Sequence, residues 1–488
     1  MQDRRVRRRQ GGMRSAPPLT SFFPAIQETP YGMSDTTGTY QPPSRPASTL
    51  KQRHIIMIAL GGAIGAGLFV GSSAAIAAAG PAVLLAFVAV GLVVMLVMRM
   101  LGEMVTAIPG KGSFVAYVRL AHGDGAAFTT GWLYWFFWLV ALGSEAIAGA
   151  ILLHDWIHLP VWLLAMALIV ALNLINLAAV HIFGECEFWL SLVKVISIVL
   201  FIMAGTLYVA HVFGPGVQIP RNVLGHGGLF PHGAAAVISI IPTVLFTMIG
   251  SEIATVAAGE SAEPARNVAH VTRSLGTRIV LFYSLSIALI LMIVPWSDIA
   301  PGHSPFVAAM QAMGIPGAGA CMQVVVLTAV LSCMNSSLYI TSRILAELAR
   351  HGDAPAVLHH YGRQHTPVNA IMANSLAGAV VAFASILAPG TVFAFLLSCS
   401  GGVILLVYSL IVTSYMVLRR RMADTEQAAC FRLPFFPAVN LLTLGGVMVI
   451  FVAMLLNASQ RMTAMASLGT TLFFIVIHAV RNRMHPKA

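Results

Sequence analysis

LGGAIGAG, residues 60–67, puts four glycines in the middle of the first long apolar segment, residues 55–79. A helix that crosses a bilayer must satisfy its backbone polar groups internally, and glycine weakens a helix interior. Such an interruption is tolerated where the unwound backbone lines a protected cavity, and its free N–H and C=O groups can then hold the ionic ends of a ligand. FTMIGSE, residues 246–252, has a second interruption about five apolar segments later. The two stretches predict paired broken helices around one site.

The composition is that of an integral membrane protein. Of 488 residues, 58% are hydrophobic and 9% are charged, whereas soluble domains carry about 25% charged residues. Long apolar runs predict an all-α protein with twelve transmembrane helices, of which helices 1 and 6 are broken. The predicted spans are residues 55–79, 81–107, 126–153, 160–180, 188–212, 235–259, 277–296, 318–345, 367–388, 391–418, 433–456 and 461–480.

The net charge of +11 is distributed as in a membrane protein, which argues against a nucleic-acid partner. If the N-terminus is cytoplasmic and the spans alternate, only Arg221 and Arg461 of the 28 Lys and Arg residues fall outside, and Lys194 lies within a span. An excess of Lys and Arg in cytoplasmic loops sets membrane orientation. We therefore expect both termini to be cytoplasmic.

The chain divides into a tail, a core of ten spans and an appendix. Residues 1–50 are rich in Arg, Pro, Ser, Thr and Gly, which predicts a disordered basic tail. In the core, residues 51–420, the halves 51–212 and 235–418 each begin with a broken span. Because five is an odd number, the second half enters the membrane from the opposite side, which predicts an inverted repeat. Residues 421–480 hold spans 11 and 12, and residues 481–488 form a short cytoplasmic tail.

Three of the 17 acidic residues, Glu103, Glu145 and Glu252, and one lysine fall within the predicted spans. Ionisable groups in a membrane are costly and indicate function by default. Glu252 either exchanges a proton or forms a structural pair, and Glu145 either attracts a ligand ammonium or pairs with Lys194. Lys194 either supplies a buried positive charge, whose proton desolvation makes easier to lose, or extends its amine to the membrane surface. Glu103 follows Arg99 by four residues, the spacing of a local ion pair.

The first interruption offers backbone groups for both ends of a zwitterion. The amides of Ala66 and Gly67 begin a half-helix, whose positive end suits a carboxylate. The carbonyls of Ala63 and Phe246 are candidate acceptors for an ammonium. The alternative interpretation of the glycines is close packing of helices. Polar residues of span 8 either line the same cavity or bond neighbouring helices: Asn335, Ser336 and Ser337.

Motifs of common enzyme classes are absent from the sequence. It has no HExxH motif, no Walker A lysine loop and no GxSxG motif. We therefore expect neither an enzyme nor a cofactor or metal site.

The chain resembles the amino acid permeases of the amino acid–polyamine–organocation superfamily from about residue 50 to residue 421. The resemblance lies in LKQRHIIMIALGGAIGAGLFVGS (50–72), FGECEFWLSLVKV (183–195), IGSEIATVAAGES (249–261) and LSCMNSSLYITSRILAELARHGDAPAV (331–357). Among these permeases it is most similar to bacterial γ-aminobutyrate permeases. The resemblance implies a five-plus-five inverted-repeat fold of the LeuT type and a proton-coupled symporter of the bacterial inner membrane.

The resemblance also implies roles for individual residues. A lysine that matches Lys194 replaces a sodium ion, and the Phe246 ring matches an aromatic gate. Ala66 stands where some relatives have serine or threonine, so a hydroxyl contact to the carboxylate is missing. The predicted substrate-binding residues are Ala63, Ile64, Gly65, Ala66, Gly67, Phe246, Thr247 and Gly250. The predicted coupling or gating residues are Glu145, Lys194, Glu252 and Phe246.

These features predict a secondary active transporter that imports γ-aminobutyrate or a related amino acid with protons, by alternating access. Its expected partners are a small zwitterionic amino acid, the proton and the lipid bilayer. A permease of the same family for an aromatic amino acid, proline, histidine, or alanine and glycine is the first alternative. A non-transporting amino acid sensor is an alternative of another class.

Overall fold

The computed structural model describes residues 50–65, 67–108, 113–154, 156–213, 217–259, 264–362, 366–387, 389–421, 433–458 and 460–484. Within these residues the regular secondary structure is helical, consisting of α-helices, a π-helix and short 3-10 helices, and no β-sheet is formed. The predicted basic tail, except Leu50 at its end, and the predicted site residue Ala66 lie outside the described residues.

The α-helices are numbered in chain order, and a π-helical turn, Gly67–Gly71, lies between the first two. They are α1 (Gln52–Ala63), α2 (Ser72–Ala79), α3 (Val83–Ala107), α4 (Phe114–His122), α5 (Asp124–His154), α6 (Val161–Leu177), α7 (Val180–Val209), α8 (Ile219–Leu224), α9 (Ala234–Met248), α10 (Ile253–Gly259), α11 (Pro264–Ile293), α12 (Pro305–Ala312), α13 (Ala318–Arg350), α14 (Val368–Leu387), α15 (Pro389–Arg421), α16 (Ala438–Leu456) and α17 (Arg461–Met484).

Nine helical stretches of the described chain are long and apolar enough to cross a membrane. The first, Gln52–Ala107, has 56 residues and includes the first break, and two shorter apolar helices are Val161–Leu177 and Val368–Phe383. Leucines such as Leu376 and Leu442 are more than 70% exposed, which suits a surface that faces lipid. The protein is therefore a multi-pass membrane protein.

Helices α5 and α13 form the centre of the molecule, because most of their apolar windows are buried, whereas α16 and α17 expose most of theirs. In the described core, α1 packs against α7, α10, α11 and α13, α7 packs in addition against α11 and α13, and α9 packs against α2, α3 and α15. The functional residues therefore lie on segments held from several sides.

The first helix ends at Ala63, and Ile64 is extended with φ −96° and ψ 90°. The next regular turn begins at Gly67. Helix α9 likewise ends at Met248, Ile249 is extended, and α10 begins at Ile253. Gly250 has φ +127°, a conformation that favours glycine because it has no Cβ. Both predicted interruptions are thus present in the described backbone.

The two interruptions touch each other. A Cβ added to Gly250 would lie 2.3 Å from the carbonyl oxygen of Gly62, and one added to Gly67 would lie 2.9 Å from the Cα of Thr247. Glycine is required here because the backbones at the two breaks approach more closely than side chains permit.

The predicted boundary of the fifth span was wrong. Helix α7 begins at Val180 rather than near residue 188, and it therefore contains Glu185 and Glu187. The interpretation that only Glu103, Glu145 and Glu252 lie within spans was also wrong, because Glu187 is fully buried in this helix. The polar run FGECE, residues 183–187, was interpreted as lying outside the span, because the sequence alone does not show which groups pair with its two glutamates inside the protein.

Candidate functional site

A small cavity lies between the two breaks. Six of the predicted site residues line it: Ala63, Gly65, Gly67, Glu145, Phe246 and Thr247. The other wall is largely apolar and includes Phe137 and Trp138 of α5. The structure thus brings backbone from both breaks and one carboxyl group to a single cavity.

Phe246 is buried at the end of α9, and its ring packs against Phe137 with 5.8 Å between ring centroids. Two aromatic rings from different helices therefore cover one side of the cavity. This position suits the gate that the sequence comparison with permeases led us to expect.

Glu145 is 3% exposed at the middle of α5. A Cβ on Gly65 would lie 2.7 Å from its Oε1 atom, so the carboxyl group lies directly against the first break. The thiol of Cys333 on α13 hydrogen-bonds to it, and Lys194 interacts with it electrostatically. Glu145 is thus the acidic side chain that reaches the cavity among the predicted residues.

Lys194 lies behind the first break, fully buried on α7. Its Nζ atom donates to the carbonyl oxygens of Gly61 at 2.6 Å and Ile64 at 2.8 Å, and it lies 2.7 Å from Ser332 Oγ. An ammonium has three N–H donors, and these three acceptors match them. The alternative of a lysine extended to the surface is wrong, because the amine holds the carbonyls that the break exposes.

Glu187 is the residue that sequence reasoning missed. Its Oε1 accepts hydrogen bonds from Ser332 Oγ and, at 3.0 Å, from Ser191 Oγ, and its Oε2 accepts one from Asn335 Nδ2 at 3.0 Å. Glu187, Ser191 and Lys194 are spaced by four and three residues, so they share one face of α7. That spacing was the available signal.

The polar residues of span 8 have different partners. Asn335 bonds Glu187 and accepts from Asn176 Nδ2 at 2.8 Å, so it links neighbouring helices. Ser337 donates to the Cys333 carbonyl of its own helix. For Asn335 the second of the two sequence interpretations is therefore correct.

Glu252 lies behind the second break. It is fully buried, accepts from the Gly250 amide at 3.1 Å and from the Tyr134 hydroxyl at 3.1 Å. The carboxyl group caps a backbone amide that the break leaves without a helical partner. Glu252 therefore stabilises this break and does not line the cavity.

Tyr283 on α11 joins the two breaks. Its hydroxyl oxygen lies 2.6 Å from the Ala63 carbonyl oxygen and 2.5 Å from the Thr247 carbonyl oxygen. No local motif distinguishes this tyrosine in the sequence, because its role depends on backbone atoms far away along the chain.

Comparisons with known proteins identify the family of the chain. The family model described as "Amino acid permease" matches residues 54–482. The chain is similar to a γ-aminobutyric acid permease of Bacillus subtilis (strain 168), with 41% identity over 84% of this chain and 88% of that protein. It is 38% identical to a γ-aminobutyric acid permease of Escherichia coli (strain K12), over 86% of this chain and 90% of that protein.

A relative named for another amino acid is similar over a comparable length. An L-asparagine permease of Escherichia coli (strain K12) is 36% identical over 88% of this chain and 88% of that protein. The family model and these identities lead to one conclusion: this chain belongs to the amino acid permease family of the amino acid–polyamine–organocation superfamily.

Proposed function

We propose that the protein is a secondary active transporter that imports γ-aminobutyrate or a closely related zwitterionic amino acid together with protons, by alternating access. The observation that carries the proposal is the close approach of the two broken helices around one cavity, with Gly62 near the end of α1 against Gly250, and Gly67 against Thr247 near the end of α9. Discontinuous helices of this kind bind substrate in many secondary transporters.

The cavity supports a zwitterionic ligand because it offers groups for both charges. Gly67 begins the regular turn after the first break, so its amide suits a carboxylate. The carbonyl of Ala63 and the carboxyl group of Glu145 suit an ammonium. The described part of the proposed binding site is completed by Ile64, Gly65, Phe246, Thr247 and Gly250. Ala66, which lies outside the described residues, also belongs to the proposed site.

Proton coupling is supported by the buried ionisable groups behind the breaks. Lys194 contacts the first break and Glu252 contacts the second, so a change of protonation in either alters the segment that holds the substrate. Intramembrane groups of this kind form proton relays in transporters. In this proposal Lys194, Glu145 and Glu252 couple substrate transport to proton transport, and Phe246 gates the cavity.

The proposed topology has twelve transmembrane helices. Gln52–Ala107 is long enough for two crossings, because one needs about 20 residues. The other eight apolar stretches and the two shorter helices then supply the remaining ten. We further propose the inverted repeats 51–212 and 235–418, a bacterial inner-membrane location and cytoplasmic termini.

A second candidate function is transport of another amino acid by the same mechanism. Its support is the similar identity of the L-asparagine permease. Pocket side chains discriminate small changes of a substrate weakly where the contacts are apolar, so the shared backbone cradle serves both candidates.

The decisive experiment is uptake of labelled γ-aminobutyrate by proteoliposomes, with and without an inward proton gradient, and with each common amino acid as competitor. Gradient-driven accumulation that short ω-amino acids block best is the expected result. If only another amino acid competes or supports counterflow, that amino acid is the substrate in place of γ-aminobutyrate. Ligand-induced stabilisation without any transport would identify a sensor.

A further inference from the structure

We infer that Glu187 exchanges the coupling proton with Lys194 through the hydroxyl of Ser332. The inference rests on the proposed function and adds the internal partner of the lysine. It follows from an unbroken chain of polar atoms, because Ser332 Oγ contacts both Lys194 Nζ, at 2.7 Å, and Glu187 Oε1.

The chain is shielded from water. Glu187, Ser191, Lys194 and Ser332 are each 0% exposed. A charge that is buried in this way needs an opposite charge or a neutral form. Glu187 and Lys194, seven residues apart on one helix face, provide both options within a single pair.

The hydrogen bonds remain complete in both protonation states. With an ammonium and a carboxylate, Lys194 donates to the carbonyls of Gly61 and Ile64 and to Ser332, and Ser332 donates to Glu187. After the transfer, a neutral amine donates to the same two carbonyls and accepts from Ser332, while Ser332 accepts from a carboxylic acid. A hydroxyl has one donor and two acceptor positions, so it can serve either direction.

The proton transfer is balanced without any further reactant. The N–H bond from Lys194 Nζ to the bridging proton breaks as an O–H bond to Ser332 Oγ forms. The original hydroxyl proton of Ser332 leaves for Glu187 Oε1. The pair changes from two charges to none, its net charge is unchanged, and both carbonyl contacts to the break persist.

The other contacts of Glu187 hold it in position for this exchange. Ser191 donates to the same carboxyl oxygen as Ser332, and Asn335 donates to the other oxygen while Asn176 fixes the Asn335 amide. All three donors are compatible with a carboxylate, and Oε1 can carry the proton after Ser332 reverses its bond. The side chain is thus fixed by its neighbours in both states.

Other titratable groups face Lys194 from the packed helices. Glu145 approaches from α5 and Cys333 from α13. Ser332 lies between the amine and Glu187 and hydrogen-bonds to both. At the N-terminal end of α7, His54 of α1 lies against Gly184. Glu187 is thus joined to Lys194 through one hydroxyl, and this contact carries the inference.

The test compares Glu187→Gln with Glu185→Gln in proteoliposomes. Glutamine keeps hydrogen-bonding atoms at the position but does not exchange a proton, and Glu185, two residues earlier, is 40% exposed in its side chain. Two quantities are measured: exchange of labelled γ-aminobutyrate at equal pH, and accumulation driven by an inward proton gradient. We expect Glu187→Gln to keep exchange and lose gradient-driven accumulation, and Glu185→Gln to keep both.

A second pair of variants covers the case in which Glu187→Gln loses exchange as well. Ser332→Ala removes the bridging hydroxyl while both ionisable groups stay, and Ser332→Thr keeps a hydroxyl. We expect accumulation to fall in Ser332→Ala and to recover in Ser332→Thr. Wild-type accumulation in Ser332→Ala would overturn the relay.

The wild-type protein separates this inference from the proposed function. If the wild type exchanges substrate but does not accumulate it with a proton gradient, the proposed coupling fails and the relay fails with it. If the wild type accumulates substrate and Glu187→Gln does so equally well, only the relay is overturned. In that case the lysine exchanges its proton with another group, such as Glu145.

Discussion

The phenolic oxygen of Tyr283 lies 2.6 Å from the carbonyl oxygen of Ala63, the group that we propose as an acceptor for the substrate ammonium. The same oxygen lies 2.5 Å from the carbonyl oxygen of Thr247. A tyrosine has one hydroxyl hydrogen, so it donates to one of the two carbonyls at a time. Tyr283 therefore lies against acceptor atoms of both breaks and donates to one of them at a time.

Tyr283→Phe is expected to increase the stabilisation that substrate gives. Without the hydroxyl, the two buried carbonyls lose the one donor that they share in the substrate-free protein, at a cost of about 1–3 kcal/mol. An ammonium bound at Ala63 replaces that donor and no longer competes with the tyrosine. Thermal unfolding in detergent, with and without γ-aminobutyrate, measures the difference.

Tyr208→Phe is the matched control for this prediction. Tyr208 lies on α7, away from the breaks, and its hydroxyl oxygen is 3.3 Å from the carbonyl oxygen of Ala312. The control should leave the ligand-induced shift unchanged. An equal or smaller shift in Tyr283→Phe than in the wild type would contradict the role of Ala63 as the ammonium acceptor.

Lys194→Ala is expected to abolish the dependence of uptake on a proton gradient more than it weakens substrate binding. The variant also leaves Glu187 as a buried charge without its partner, which costs about 3–5 kcal/mol. Adding Glu187→Gln removes that charge, so the double variant should recover part of the lost stability. Unchanged gradient-driven uptake in Lys194→Ala would contradict the coupling role, and additive losses of stability would show that the two groups act independently.

The breaks and the buried lysine were predictable because their signals are local. Four glycines within eight residues weaken a helix whatever packs around it, and a lysine in an apolar run is costly wherever it lies. The structure has Ile64 extended and Lys194 bonded to the carbonyls of Gly61 and Ile64, as such signals require.

Glu187 and Tyr283 were not predictable from local sequence. The carboxyl group of Glu187 has partners 145 and 148 residues away on α13, and Tyr283 bonds a carbonyl 220 residues away. A polar group is tolerated in a buried position when its hydrogen bonds are satisfied, and this depends on helix packing. The start of α7 was therefore mispredicted at the residues whose partners come from other helices.

Gly250→Ala is expected to abolish transport and to lower stability. The residue has φ +127°, and an added Cβ would lie 2.3 Å from both the carbonyl carbon and the carbonyl oxygen of Gly62. Backbone atoms do not yield as a flexible side chain does, so the two breaks must separate. Uptake in proteoliposomes and thermal unfolding both report the effect.

Gly445→Ala on α16 is the control for this glycine. An added Cβ there meets nothing within 4 Å, and alanine favours a helix interior by up to about 1 kcal/mol over glycine. We expect normal transport and unchanged or higher stability. Normal transport by Gly250→Ala would mean that contact between the breaks is dispensable.

Asp353→Asn is expected to lower the stability of the protein more than the removal of a charge from a surface ion pair does. Asp353 is 3% exposed after α13 and pairs with Arg119 of α4 at 2.5 Å and Arg481 of α17 at 2.6 Å. Because the arginines are partly exposed, we expect a loss toward the lower end of the ~3–5 kcal/mol that breaking a buried pair costs. Thermal unfolding of the two proteins in detergent measures the loss.

Glu185→Gln provides the more exposed comparison, because the Glu185 side chain is 40% exposed and its partners are Arg53, which is 50% exposed, and His54. Exposed pairs contribute at most about 1 kcal/mol and are screened by salt. The stability difference between wild type and Asp353→Asn should persist when salt is raised, whereas that of Glu185→Gln should shrink. Equal losses with equal salt dependence would mean that the Asp353 pairs do not join α4 and α17 to the loop after α13 any more firmly than a surface contact does.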